Sequence, residues 1–448
     1  MKSKNDHYWL KSGALNVLQN ISSVFFGFGS FYLLVRMLDK HSFGTWTLFM
    51  ATTTIFEMIR SGLIQNALIK FLSFSERSEH DKILSASFTM SGVLTLACII
   101  INLCLANYLA VKWDSPELVN MFYMYSFVYI FSGILSQFHW IEQANLTFQG
   151  IFITNFIRQG VFFVFIVIAF FTKFKIQLIY LVYVQAFCAL LSASIEYRFI
   201  KKFLRFTYSV SLEWVKKLFN YGKFAFGTSI SSILSNTIDQ MMLGAILSPA
   251  ASGAFNIAVR ITNLVDIPTN SIAVIVFPQS AKRLATEGKE GIKYLYEKSV
   301  GTILAILIPG LLFLYFFPTF VVHVIAGNQY AETIPILKIT TLYCLLIPFG
   351  RQFGTILDSI GRPKITFIIV VLTATLNLTL NYFMIKQWGV MGAAYATLTS
   401  NVIAFAVAQF ILYKELKVNI ANTFIYAYMF YPEFYNKYVK PRLVRTKG

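Results

Sequence analysis

Apolar residues along this chain come in long runs, far longer than the alternation of a half-buried strand or the single stripe of a surface helix. A helix needs about 20 mostly apolar residues to cross a bilayer. Twelve such runs follow one another, near 13–35, 45–69, 83–110, 118–138, 147–171 and 177–197, then 222–247, 255–278, 299–321, 333–358, 364–385 and 390–413. A polar, basic stretch at 198–217 separates the two sets. The pattern predicts an all-α integral membrane protein with a six-helix lobe over 1–197, a linker over 198–221, a second six-helix lobe over 222–413 and a tail over 414–448. The first run is longer than the apolar core of a signal peptide and ends without a small-residue cleavage site, so it is expected to stay as the first span. In the tail, the aromatic stretch 424–435 contains Pro432 and is too short to cross. It is expected to lie at the interface, anchored by Lys437, Lys440, Arg442 and Arg445.

Composition agrees with lipid as the solvent. Of 448 residues, 56% are hydrophobic and 13% charged, where a soluble domain carries about 25% charged residues. So little charge cannot cover a water-facing surface, which excludes a soluble enzyme, a nucleic-acid-binding domain and a disordered chain. Cys98, Cys104, Cys188 and Cys344 sit in apolar runs at no metal or disulfide spacing and read as small hydrophobes. There is no Gly-x-x-x-x-Gly-Lys loop, His-Glu-x-x-His or paired-Cys motif, so neither ATP hydrolysis, a metal nor another cofactor is expected. His139 and His323, at span ends, read as interfacial rather than catalytic, and His7 and Trp9 as a headgroup anchor.

Orientation follows from the basic residues. With the N-terminus in the cytoplasm, 27 of the 38 lysines and arginines fall on inside segments, seven on outside loops and four within spans. Both termini and the linker are therefore expected to be cytoplasmic, and the net charge of +18 is explained by topology and by attraction to anionic headgroups. Every outside loop is short, about 15 residues or fewer.

The two halves echo each other. A shift of 209 residues lays the first two spans on the seventh and eighth: Phe43-Gly44-Thr45-Trp46 meets Ser252-Gly253-Ala254-Phe255, and Glu57 meets Asp266. Asn256, Arg260, Asn263, Asp266 and Asn270 form a polar stripe, matched by Thr47, Ala51, Thr54, Glu57 and Ser61. Gln137-Phe138 and Gln352-Phe353 give a weaker echo. Two halves of the same orientation imply a pseudo-two-fold axis along the membrane normal, as in transporters that hold substrate between lobes. Proline is lopsided: only Pro116 precedes residue 249, and the second half is expected to bend more.

Eight ionisable residues within spans stand out: Glu57, Arg60, Arg158, Asp239, Arg260, Asp266, Arg351 and Asp358. Each costs roughly 2.5–3.5 kcal/mol at the bilayer centre, so they should face a cavity or one another. Two readings stay open. Arg60, Arg158, Arg260 and Arg351 either line a hydrated cavity and hold an anion through bidentate guanidinium contacts, or form interhelical ion pairs. Glu57 and Asp266 either bind a coupling cation or proton or pair with arginine; Glu57 and Arg60, three apart, share a helix face. For Asp239, ion coupling and a packing or hydrogen-bonding role are both open.

Several of these residues belong to a recognisable pattern. The segment Asn236-Thr-Ile-Asp239-Gln-Met-Met-Leu243-Gly244, running on through Gly253-Ala-Phe255-Asn-Ile-Ala258-Val-Arg260, resembles the seventh and eighth spans of polysaccharide flippases of the O-antigen (Wzx) type. The opening from Lys11 through Leu38 and Phe43-Gly44, and the motifs Gly361-Arg362-Pro363-Lys364 and Gly389-Val390-Met-Gly392-Ala393-Ala394, are similar to the same family. Each motif is loose; their order and spacing over nearly the whole chain carry the likeness.

The resemblance implies a V-shaped pair of six-helix bundles with a cationic cavity, in the superfamily of the multidrug antiporters and lipid II flippases. It implies alternating-access transport of undecaprenyl-diphosphate-linked oligosaccharides across the bacterial inner membrane. It also implies span arginines that hold the diphosphate, membrane lipids and polysaccharide polymerase machinery as partners, and an open question of a coupling ion. Twelve spans fit this type better than the fourteen of lipid II flippases. A cation-coupled multidrug exporter is the alternative, against which four intramembrane arginines argue. A membrane glycan polymerase or ligase would need a larger outer loop.

Overall fold

A computed structural model describes the backbone of residues 2–204 and 211–436, with side chains from residue 18 onward except 224–225, 227–236 and 281. His7, Trp9 and the expected anchors Lys437, Lys440, Arg442 and Arg445 lie outside the described side chains. Among the described residues the protein is helical throughout, with no strand. Six long helices come first: α1 (Lys2–Met37), α2 (Lys40–Phe74), α3 (His80–Lys112), α4 (Glu117–Ala144), α5 (Gln149–Phe171) and α6 (Leu178–Ile200). Then come α7 (Leu212–Ile246), α8 (Pro249–Thr262), α9 (Asp266–Phe316), α10 (Pro318–Ala326), α11 (Thr333–Cys344), α12 (Ile347–Ser359), α13 (Pro363–Trp388), α14 (Val390–Leu416) and α15 (Ile420–Phe434).

Each of the twelve expected spans falls on helix. Ten segments among the described residues are long and apolar enough to cross a membrane. Of the other two expected spans, the second, on α2, carries Glu57, Arg60 and a run of threonines that dilute its apolar character, and the seventh, on α7, includes side chains outside the described residues. Residue packing shows why lipid is the solvent. On α3 most of the buried set is small or polar, including Ser85, Ala86, Ser87, Ser91, Thr95, Asn102 and Ala106. Val93, Leu96, Ile100 and Leu103 are exposed. Small residues let helices approach, and large apolar ones face hydrocarbon.

The chain divides into two compact units, 1–233 with 248–250, and 234–247 with 251–448. In the first, α4 packs on α3 and α6, and α5 on α1 and α6. In the second, the matching neighbours recur: α12 on α9, α11 on α14, and α13 on α14. Trp214 and Leu218, at the start of α7, pack with Leu68, Ile83, Ile141 and Ile200 and close the linker end of the first unit.

Continuity differs between the units. In the first, α2 and α4 run unbroken. In the second, the counterpart of α2 is interrupted by a single 3₁₀ turn, Asn263–Val265, and the counterpart of α4 by the break between α11 and α12. Pro268 and Pro348 lie just past these breaks, where the missing N–H is tolerated. The end of the eighth expected span and most of the ninth share one helical element, α9, kinked at Gly288, whose φ of 64° with ψ of −150° is open to glycine alone.

The tail docks on a span helix. The expected interfacial stretch is helix α15, packed along α9: Glu297 accepts from the Asn419 backbone N–H and the Asn422 amide at 2.8 and 2.9 Å. Farther along both helices, Tyr431 Oη donates to Ala305 O at 2.7 Å. Gly301 lies beneath Thr423 and Tyr426, where a Cβ would collide with both. These side chains fix α15 to a span helix.

Candidate functional site

In the first unit, α2, α4, α5 and α6 enclose a cavity of about 240 Å³ whose wall carries Glu57, Ser132, Arg158, Gln159 and Gln185. Glu57 is half-buried and accepts from Ser132 Oγ at 3.0 Å. Arg60 takes a different place. It is 2% exposed, and its guanidinium donates to Tyr129 O at 2.8 Å and to Ser132 Oγ at 3.4 Å. Gly133 makes room for it, since a Cβ there would lie 3.0 Å from Arg60 Nη1. Glu57 and Arg60 thus meet through Ser132, which donates to one and accepts from the other, instead of by a direct ion pair. Arg158, two turns along α5 from Gly150, faces the cavity and has no ion pair among the described residues. At the far end of the same unit, a depression of about 880 Å³ is lined by Asp39, Glu117, Tyr123, Lys175 and Tyr183 among others.

In the second unit a carboxylate is buried with no cation beside it among the described residues. Asp239 on α7 is 6% exposed. Its Oδ1 accepts from Asn381 Nδ2 at 2.6 Å and its Oδ2 from Thr397 Oγ1 at 2.7 Å. Asn381 also donates to Asn377 Oδ1 at 3.0 Å, and Asn377 donates to Ser400 Oγ at 3.3 Å. Among the described residues its hydrogen-bond partners are all neutral. Asn381 Oδ1 is buried and has no hydrogen-bond partner. A spare oxygen beside a carboxylate, a second amide oxygen and a hydroxyl make an all-oxygen set of the kind that hard cations take.

The remaining sequence candidates are exposed. Arg260, Asp266, Arg351 and Asp358 all present their side chains at the surface of the second unit. Asp266, the first residue of α9, lies within electrostatic reach of Arg351. Of the cysteines, Cys98, Cys188 and Cys344 are buried and Cys104 is exposed.

The expectation for His139 is corrected. Its Nε2 lies 2.9 Å from Thr154 Oγ1 and 3.8 Å from Glu196 Oε2, and the side chain is only 17% exposed. It belongs to a buried polar group rather than an interface. Glu142 and Glu196, 2% and 0% exposed, complete that group. Sequence reasoning passed over both as acids near span ends. The signal that marks them is a small-residue spacing, Gly150-x-x-x-Thr154, which opens one face of α5 to carboxylates from its neighbours.

The sequence profile of the polysaccharide biosynthesis protein family matches residues 9–284, and that of the MatE family matches 225–383. The lipopolysaccharide biosynthesis protein WzxC of Escherichia coli is 22% identical over 86% of this chain and 76% of its own length. The probable low-salt glycan biosynthesis flippase Agl15 of Haloferax volcanii is 24% identical over 42% of this chain. The chain spans less than half the length of such archaeal relatives: 40% of Agl15 and 44% of an uncharacterized membrane protein from Methanocaldococcus jannaschii. Among solved structures, the lipid II flippase MurJ in an inward closed conformation superposes with a TM-score of 0.75 at 16% identity, covering 93% of this chain and 90% of MurJ. An inward-facing multidrug resistance MATE family transporter of the MOP superfamily gives 0.71 at 15% identity, covering 93% and 96%. These likenesses establish the multi-pass helical fold, and the profile match over most of the chain places the protein in the polysaccharide biosynthesis protein family.

Proposed function

We propose that the protein is a flippase for lipid-linked oligosaccharides, moving undecaprenyl-diphosphate-linked repeat units across the bacterial inner membrane by alternating access during synthesis of O-antigen or another surface polysaccharide. Two lobes, 1–197 and 222–413, would rock about the substrate, with both termini and the linker on the cytoplasmic side as the basic residues indicate. The names of the related proteins support the substrate class.

The observation that carries the reading is Arg158. A guanidinium without a carboxylate partner at a cavity wall inside a span is a costly feature unless an anion visits it. It keeps its charge and can grip phosphate bidentately. The cavity is smaller than the roughly 300–1,000 Å³ of drug-sized sites, which suits a charged headgroup and leaves the glycan outside it. Arg260 and Arg351, both exposed, are the second unit's candidates for the same role. Coupling to an ion belongs at Asp239, where the Asn381 oxygen, unpartnered among the described residues, completes an oxygen set around a carboxylate with no cationic partner among them. The chemistry is transport, and no covalent step is assigned to any residue.

Deleting the gene should cause lipid-linked repeat units to accumulate on the cytoplasmic leaflet, and the intact gene, but not R158A, should clear them. A deletion strain with normal surface glycan would refute the proposal. One second reading has its own observation: Glu57 and Tyr125 share the cavity with Arg158, and an acid beside an aromatic face attracts organic cations. A cation-coupled multidrug exporter would show itself as hypersensitivity of the deletion strain to cationic dyes with its glycan unchanged.

A further inference from the structure

Below the cavity, at the linker end of the first unit, α4, α5 and α6 bury a polar group that the transport reading does not use. Glu142, near the end of α4, reaches over the start of α5. Its two oxygens accept from the backbone N–H groups of Gly150 at 3.0 Å and Ile151 at 2.7 Å. Phe148, at the cap position, offers no side-chain acceptor, so this carboxylate does the work of a cap from a neighbouring helix. Unsatisfied N–H groups and the positive end of the helix dipole both favour its ionised form.

Glu196 on α6 comes alongside Glu142 at the start of α5. A Cβ placed on Gly150 would lie 2.7 Å from each Glu196 oxygen and 2.9 Å from Glu142 Oε2, so three carboxylate oxygens converge where only a glycine leaves space. Glu196 Oε1 has no hydrogen-bond partner, at 0% exposure. Its Oε2 has only the Thr154 hydroxyl, at 3.1 Å, whose single proton also faces Gly150 O at 2.8 Å. Two carboxylates in contact, buried and short of donors, cannot both be charged. Either a proton lies between them or the structure would push them apart.

We propose that Glu142 and Glu196 form a proton-binding site: one dissociable proton is held on Glu196 and shared with Glu142, and it exchanges through Thr154 and His139. His139 is the least buried member of the chain of contacts. In the exchange the Glu196 O–H bond breaks as the proton passes to Thr154 Oγ1. The hydroxyl's own proton moves to His139 Nε2, and the imidazole ends as the cation. From α4 the groups facing the site are Glu142 and His139, and from α5 Arg158, one turn beyond Thr154, which acts on His139. Occupancy of the site therefore sets the charge next to the arginine that faces the cavity.

Infrared difference spectroscopy on the purified full-length protein tests this at pH 7, where an ordinary glutamate is ionised. The wild type should show a protonated carboxyl band that shifts in deuterium oxide. E196Q should lose it. E142Q should lose the same band although Glu196 is intact, because it removes the like charge that holds the proton there. H139N should keep the band but slow its deuteration severalfold. No band in the wild type, or a band that survives in E196Q, overturns the proposal. A band untouched by E142Q overturns the sharing, leaving Glu196 protonated on its own. The wild-type measurement stands even if a variant fails to accumulate, and none of these outcomes depends on transport.

Discussion

The two units solve the problem of a carboxylate in a span in opposite ways. In the first, Glu57 sits on the second helix and is tied through Ser132 to Arg60, which is itself spent on the Tyr129 carbonyl. In the second, Asp239 sits on the first helix and is surrounded only by amides and hydroxyls. The repeat places Ser30 opposite Asp239 and Thr269 opposite Arg60, so neither arrangement is copied. The helices follow suit: α2 and α4 are continuous, and their counterparts are broken near Pro268 and Pro348. One half holds its charges in a locked network with one arginine left over. The other keeps a buried carboxylate among amides and hydroxyls, on helices that are broken.

The largest effect should come from the second half. D239N removes the charge while keeping a side chain of similar size. Transport should fall more than tenfold with membrane abundance near normal, a loss of over about 1.4 kcal/mol. Ion addition sharpens the comparison. A cation that binds the folded protein stabilises it by about 2.7 kcal/mol at a hundred times its dissociation constant. Thermal unfolding of the wild type should therefore shift upward with sodium, potassium or both relative to choline, and D239N should not respond. If D239N transports normally, the buried carboxylate is a packing element and the contrast between halves collapses.

Next comes Arg158. R158A should reduce glycan transport about tenfold without lowering abundance, and R158K should retain part of it, since lysine keeps the charge and loses the fork. Equal losses of activity and abundance would place Arg158 with Arg60 as a packing residue, and the first half would then have no cavity charge to spare.

How much of this was legible beforehand follows from the kind of signal each feature leaves. Span positions come from long apolar runs, and residues 83–110 or 364–385 fall inside α3 and α13 with a few residues to spare. Breaks inside a span leave a weaker mark. Pro268 and Pro348 pointed to bending in the second half, whereas nothing in Asn263-Leu264-Val265 marks a 3₁₀ turn. Asp239 was visible as a charge, but its partners depend on which helices touch. The Asn377-x-x-x-Asn381 spacing does place two amides on one face of an otherwise apolar helix, and that was readable. The roles of Arg60 and Arg158 were not separable in sequence, because both are lone arginines in apolar surroundings. Burial against Tyr129 and exposure to a cavity distinguish them only in three dimensions. The docking of the tail was not legible, because it depends on Glu297 and Gly301 of α9, far away in the chain.

The locked network of the first half predicts a smaller, structural effect. R60A leaves the Tyr129 carbonyl and the Ser132 hydroxyl with one partner fewer each inside a span. A hydrogen bond to a charged group is worth about 1.5–3 kcal/mol. The variant should accumulate severalfold less protein and melt at lower temperature, with the activity per molecule near wild type. R60A at full abundance but inactive would move Arg60 into the substrate path and make the first half a two-arginine site.

The smallest effect concerns the start of the repeat, where both halves carry a good capping residue: Asp39 before α2 and, 209 residues later, Ser248 before α8. Asp39 Oδ1 accepts from the Ser42 backbone N–H at 3.0 Å and Oδ2 from the Ser42 hydroxyl at 2.8 Å. Partial burial works to push this carboxyl up, but the Ser42 backbone and hydroxyl bonds outweigh it and hold the group below its ordinary value of 3.8. A depressed carboxyl contributes stability that is complete above the unfolded value and disappears as pH falls through the folded one. D39A should therefore cost about 1 kcal/mol at neutral pH, the usual worth of a cap, and D39N only a few tenths, because an amide oxygen still accepts one N–H. The gap between wild type and D39N in thermal unfolding should hold at neutral pH and close as pH drops below about 4. A gap that persists in acid would show that the charge on Asp39 is not what the cap uses. The two halves would then begin their second helices by the same neutral hydrogen bond, differing in residue but not in physics.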